Sequence, residues 1–440
     1  MSDEPDHLFG SADASYAESM TPTPAPARRT GRVAGGFRSL RHRDFALFLS
    51  GQLVSLVGTW MQSVGQSWLV LELTNSAFKL GLVGALQFGP MLVFSLVAGA
   101  VADRLPKRRL ILGTQTALML QAFALSALTW SGAVQYWHVA LLAFLYGMAN
   151  TLDMPARQAF IVEMVGKEDL TNAIALNSTM FNGARVVGPA AAGLLIDRYG
   201  VPLAFALNGL SFLAVIAALA AMRTEGRPHV AAGSSVREDI AIGLRYAFGT
   251  PLISMILSLL LVVSLFVVNH SVLVPLLARD VLRVGAHGFG LLMAAVGSGA
   301  VIGALALATL AHEPPVPLLI GAGVASAAFT LTVAFVRSFW LAAAVLALIG
   351  LSQIIFMASC NTLLQITVPD RLRGRIMSFY AFVFVGVTPF GSLFVGAAAQ
   401  MFGVSVAYGL GGGVALILVI ALALHRWRAT PKTLDDVLLG

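Results

Sequence analysis

The 440-residue chain is 58% hydrophobic and only 11% charged, with a formal charge of +7. A soluble domain carries roughly 25% charged residues, so this chain cannot cover a water-facing surface and must be solvated by lipid. Its single cysteine, Cys360, excludes an intramolecular disulfide and a Cys-rich metal site. With no Gly-rich phosphate loop ending in Lys-Ser/Thr, ATP-driven transport is excluded as well, and no cofactor is expected.

Residues 1–36 are rich in Ser, Ala, Pro and acidic side chains and read as a disordered tail. The first residues are acidic and no apolar region precedes Phe45, so the tail is not a signal peptide. Long apolar stretches follow at 45–71, 79–102, 110–131, 137–163, 171–196 and 203–222, then at 252–278, 287–311, 316–336, 339–366, 375–400 and 405–425. A crossing of about 30 Å of hydrocarbon takes about 20 residues, and runs this continuous are helices. The expected fold is therefore all-α and integral to the membrane, with twelve transmembrane helices. Its domains are a tail (1–36), a six-helix half (37–222), a linker (223–250), a second six-helix half (251–425) and a C-terminal tail (426–440). The linker pattern, Ile240, Ile242, Leu244, Tyr246 and Phe248 among polar residues, fits either a short interfacial helix or a solvated connection.

Orientation follows from the basic residues. With the N-terminus cytoplasmic, 21 of the 28 Lys and Arg fall on that side, five on the other, and Arg157 and Arg185 within spans. This asymmetry places both termini in the cytoplasm and accounts for the net charge without nucleic acid.

The two halves repeat. Shifted by about 203 positions, Gly183, Gly188, Gly193, Gly200 and Gly209 fall on Gly386, Gly391, Gly396, Gly403 and Gly412. At an offset of about 209, Gly81 and Leu82 fall on Gly290 and Leu291. Parallel repeats with a substrate site between them near the midplane are a transporter architecture.

The segment Gly99-Ala-Val-Ala-Asp103-Arg104-Leu-Pro-Lys107-Arg108-Arg109 resembles the signature loop of the major facilitator superfamily, departing from it at Pro106 and Lys107. Asp153-Met-Pro155-Ala-Arg157, Gly188-Pro189 and Val368-Pro369-Asp370-Arg371-Leu372-Arg373-Gly374-Arg375 are similar to its enterobactin-exporter-like branch, the transmembrane secretion effectors. That resemblance implies a secondary active transporter of the bacterial inner membrane, working by alternating access on an ion gradient, with protons the coupling ion. An exporter of a siderophore or drug-like metabolite, working as a monomer, is expected. An importer or facilitator is the alternative, and nothing readable supports a membrane enzyme.

Candidate residues fall into three groups. Gly99, Asp103, Arg104, Lys107, Arg108 and Gly374 form a gating latch by resemblance, since a carboxylate at the C-terminus of its own helix opposes the helix dipole and needs another partner. Asp153, with Arg157 one turn on and Glu163 beyond, is half of an ion pair within the helix, a partner for the basic signature loop, or a proton carrier. Arg185, with Gln62, Gln66, Asn177, Asn182 and Asn361, makes a candidate substrate site of mixed character suited to a large amphipathic solute. Arg185 could instead cap carbonyls freed by Pro189.

Overall fold

The computed structural model describes residues 37–226, 236–310 and 314–429. The N-terminal tail and residues 430–440 of the C-terminal tail lie outside them. Regular structure among the described residues is helical, as lipid requires of a chain that must satisfy its own backbone. The helices are α1 (Arg43–Thr74), α2 (Ala77–Arg104), α3 (Lys107–Trp130), α4 (Tyr136–Tyr199), α5 (Val201–Ala221), α6 (Val236–Gly249), α7 (Pro251–Phe266) and α8 (His270–Leu276). They continue with α9 (Ala286–Leu310), α10 (Val316–Val333), α11 (Phe339–Thr367), α12 (Asp370–Gly386), α13 (Thr388–Phe402) and α14 (Val404–Ala429).

Among the described residues, eleven helical segments are long and apolar enough to cross a membrane. The longest, α4, has 64 residues, which would be ~96 Å as one rod. It is not one rod. Gly166 has φ 70 and ψ 177, a conformation open almost only to glycine, and the helix is broken by a kink there.

Two spans are interrupted where the sequence reads as continuous. Residues Val267–Asn269 separate α7 from α8, which runs on into a π-helical turn at Leu277–Val281. Val387 separates α12 from α13. The sequence marks these breaks only by Asn269 and His270 in one run and by Gly386, Thr388 and Pro389 in the other.

The repeat seen in the sequence recurs as matched packing. Gly147 presses on the Gln87 carbonyl, and Gly350, its counterpart, presses on that of Val296. Gly188 packs on Val57 and Trp60 of α1, while Gly391 packs on Leu265 and Asn269 of the α7–α8 region. Between the halves, a Cβ on Gly81 would sit 3.1 Å from the Cα of Gly396, and one on Gly290 would sit 2.7 Å from the Cα of Gly193. These two crossings exchange under the same sequence shifts. Small residues let backbones touch, which is how membrane helices gain packing energy without a hydrophobic drive.

The seam has a direction. Both crossings lie toward the face that carries the α1–α2 turn. There Ser76 donates to Gln400 at 2.9 Å and Arg279 to the Leu71 carbonyl at 3.1 Å, again linking the halves. Farther along α2, Leu92 still meets Gly386. Toward the arginine-rich face, Gly99 and Gly374 have nothing within 4 Å of a Cβ position, and neither has Gly183. The halves meet at the face of the α1–α2 turn, and at Gly99 and Gly374 they do not.

Candidate functional site

The signature loop is stitched into its own half. Lys107 is buried and its ammonium lies 2.8 Å from Glu163. Arg108 donates to the carbonyls of Leu219 at 2.6 Å and Ala220 at 2.9 Å, so it caps the C-terminus of α5, where a cation is favoured. In the state described, the charges of Lys107 and Arg108 are held by α4 and α5 of their own half. Asp103 and Arg104 are exposed. Among the described residues Asp103 makes no ion pair and no hydrogen bond, and Gly99 and Gly374 stand free of neighbouring helices here.

Asp153 is buried and saturated. One carboxylate oxygen accepts from Thr114 at 2.7 Å and Gln115 at 3.0 Å; the other accepts from Arg157 Nε at 2.9 Å and Nη2 at 2.5 Å. The Arg157 guanidinium also lies 5.6 Å from the centre of the Phe48 ring. This network braces α1, α3 and α4.

The proposed lining residues divide. Gln62 is buried, donates to Gln121 at 2.9 Å and accepts from Asn208 at 2.7 Å. In the state described it ties α1 to α3 and α5 inside the first half. Asn182 donates back to the Ser178 carbonyl of its own helix at 2.8 Å. Asn361 accepts from Gln365 at 2.5 Å and meets Tyr380 of α12. Asn177 is half-buried on α4. Gln66 donates to Gln87 at 2.8 Å, and both line a cavity of about 50 Å³ beneath the seam together with Ser63, Ser67 and Ser271.

Arg185 differs from all of these. Its backbone carbonyl meets Gly297 of α9, which sets it on the boundary between the halves, about two turns below the Gly193–Gly290 crossing. Its guanidinium lies 5.8 Å from the centre of the Trp60 ring. Among the described residues it has no carboxylate partner and no hydrogen bond. His270 is near enough to feel its charge, and His270 Nε2 lies 3.1 Å from Gln353 Oε1. The α7–α8 break is what turns Asn269 and His270 inward. In the sequence they are two polar residues in an apolar run, and nothing there ties His270 to Arg185. The guanidinium, flanked by the Trp60 ring, can meet an aromatic or anionic group on its free side. No group of three or more His, Cys, Asp or Glu able to hold a metal occurs among the described residues.

Comparison with known proteins agrees with this architecture. The chain is 27% identical to the staphyloferrin A transporter of Staphylococcus aureus over 81% of its length and 90% of that protein. It is 27% identical to the multidrug efflux pump Tap of Mycolicibacterium fortuitum, covering 87% and 96%, and 26% identical to the enterobactin exporter EntS of Escherichia coli, covering 89% and 94%. Among solved structures, a bacterial homolog of the human lysosomal transporter Spinster shares the fold with a TM-score of 0.65 at 16% identity, over 87% of this chain and 95% of that one. The family model described as transmembrane secretion effector matches residues 34–437. The chain therefore belongs to the transmembrane secretion effector family and is a multi-pass membrane transporter of the major facilitator fold, not an enzyme.

Proposed function

We propose that this protein is a secondary active exporter of a small amphipathic or anionic molecule, working by alternating access in a bacterial inner membrane with both termini in the cytoplasm. The break at Gly166 divides α4 into two crossings, which brings the count to twelve, in two halves joined through α6. The positive-inside asymmetry orients the arginine-rich face toward the cytoplasm. The face where the halves meet then looks outward and that of Gly99 and Gly374 inward, so the state described here is open to the cytoplasm. That is the state in which an exporter loads.

The observation that carries the substrate reading is Arg185. A guanidinium stays charged at neutral pH, and a charge deep in a bundle with no protein counter-ion marks a transport pathway. Relatives named for staphyloferrin A and enterobactin favour a siderophore-like cargo, and the relative named a multidrug pump favours breadth around the same site. The energy source is an ion gradient, with protons as the coupling ion.

Reconstituted protein tests this. Vesicles with an imposed proton gradient should accumulate an iron-free catecholate and a neutral amphipathic dye. Arg185→Lys should keep part of the catecholate transport, because the charge remains while the planar fork is lost. Arg185→Gln should lose catecholate transport and spare the dye. Equal losses for both solutes would make Arg185 a brace of α4 rather than a cargo contact. Transport indifferent to the gradient would remove protons as the coupling ion.

A further inference from the structure

A basic pocket lies where α6 meets the start of α12, away from the substrate path. Ile242, Arg245, Tyr246, Gly249 and Thr250 line one wall and Arg371, Leu372 and Arg375 the other, around about 620 Å³. The two walls are held in register by a close contact. A Cβ on Gly243 would lie 2.5 Å from the Phe379 ring, so α6 rests directly on α12 and brings Arg245 alongside Arg371 and Arg375.

Arg375 has a partner of its own, but the charge of Arg245 and Arg371 is not balanced among the described residues. Asp370, the acid beside it in sequence, is taken by Arg373 at 2.6 Å, and Arg373 also donates to the Gln365 carbonyl at 2.9 Å. Among the described residues, Arg245 and Arg371 make no ion pair and no hydrogen bond. Thr250 caps α7 with its backbone position only, leaving the hydroxyl unspent. Two unbalanced guanidiniums and a hydroxyl form a donor set suited to a phosphate, which arginine grips through its planar fork.

The adjacent face of α6 says what carries the phosphate. Leu244 and Phe248 share a side of the helix one step around from Arg245 and Gly249. Phe248 is 76% exposed, and Leu244 and Ile242 are 39% and 38% exposed. A helix with apolar side chains beside a basic pocket lies at the membrane interface, with its apolar side among acyl chains. We infer that this pocket binds an anionic phospholipid, with the phosphate against Arg245 and Arg371 and the chains running along Leu244 and Phe248.

The test uses the full-length protein in zwitterionic phosphatidylcholine nanodiscs, titrated with phosphatidylglycerol and, separately, with inorganic phosphate. Bound lipid is counted by native mass spectrometry. Phosphatidylglycerol should be retained over phosphatidylcholine, and Arg245→Gln/Arg371→Gln should weaken retention roughly 10- to 30-fold, the loss expected for two cations near an anionic lipid. Arg198→Gln, on the opposite face, is the charge-matched control for Arg245→Gln alone and should retain the lipid. Unaltered thermal unfolding of the double variant in phosphatidylcholine separates lost binding from lost folding. If the double variant unfolds early, Arg245→Gln alone, on an exposed side chain, gives the same reading at smaller size. Undiminished retention by the variants overturns the site. Inorganic phosphate displacing the lipid at comparable concentration overturns the lipid assignment.

Discussion

At the scale of single residues, charge is sorted by whether it has a partner. Asp153 and Arg157 have each other, and the aspartate also serves Thr114 and Gln115. Removing one member of a buried pair leaves the other uncompensated, at a cost of about 3–5 kcal/mol, whereas removing both is far milder. Asp153→Asn should therefore lower the thermal midpoint of purified protein sharply, and Asp153→Asn/Arg157→Gln should recover much of the loss. Recovery in the double variant, with uphill transport retained, makes the pair a brace. A double variant that is stable but transports only downhill would return Asp153 to the coupling machinery. The pair was legible in the sequence because its members sit one helical turn apart. The network of Gln62 with Gln121 and Asn208 was not, because it joins three helices whose rotation about their axes no spacing reveals. A helix apolar on all sides has no polar stripe from which to read that rotation.

At the scale of elements, backbone conformation and close approach carry the information. Gly166 turns the chain with φ 70 and ψ 177, where a Cβ is strained whatever the surrounding space, and no atom lies within 4 Å to blame instead. Gly166→Ala should cost about 1–3 kcal/mol from strain alone, read as a lowered midpoint with the helical content unchanged. A neutral effect would mean that the turn can open in another way. The glycines of the seam act differently, since a Cβ on Gly290 would lie 2.4 Å from the Pro189 carbonyl oxygen. Gly290→Leu should prevent the outer seam from closing. With Cys360→Ala as background, Ser271→Cys lines the small cavity beneath that seam. It should react faster with an impermeant thiol reagent from the outer side when Gly290→Leu is present than when it is absent. The seam was half legible: the repeat picked out the right glycines, but sequence offsets cannot say that Gly81 meets Gly396 and not Gly290. The interruption at Val267–Asn269 left less trace, because no proline or glycine marks it.

At the scale of the whole molecule, the described state predicts what the other state must contain. On the alternating access proposed above, the halves exchange contact at one face for contact at the other by rocking about the seam. In the state seen here Asp103 is exposed and has no partner among the described residues. It sits at the C-terminus of α2, where its own helix dipole disfavours it. Its removal should therefore cost this state nothing. In a state closed toward the cytoplasm, α2 approaches the start of α12, and Asp103 would meet that helix N-terminus near Gly374, where a carboxylate is favoured. Asp103→Asn should accordingly weaken only the outward-open state. The shift is about 1–3 kcal/mol, or 5- to 150-fold in the ratio of states. The variant should fold with an unchanged midpoint and transport poorly, and Ser271→Cys should label more slowly from outside. The direction matters, because a merely damaged loop would lower the midpoint and change labelling on both sides. Unchanged labelling in a variant that transports normally would remove Asp103 from the gate and leave it an acid on a solvated loop.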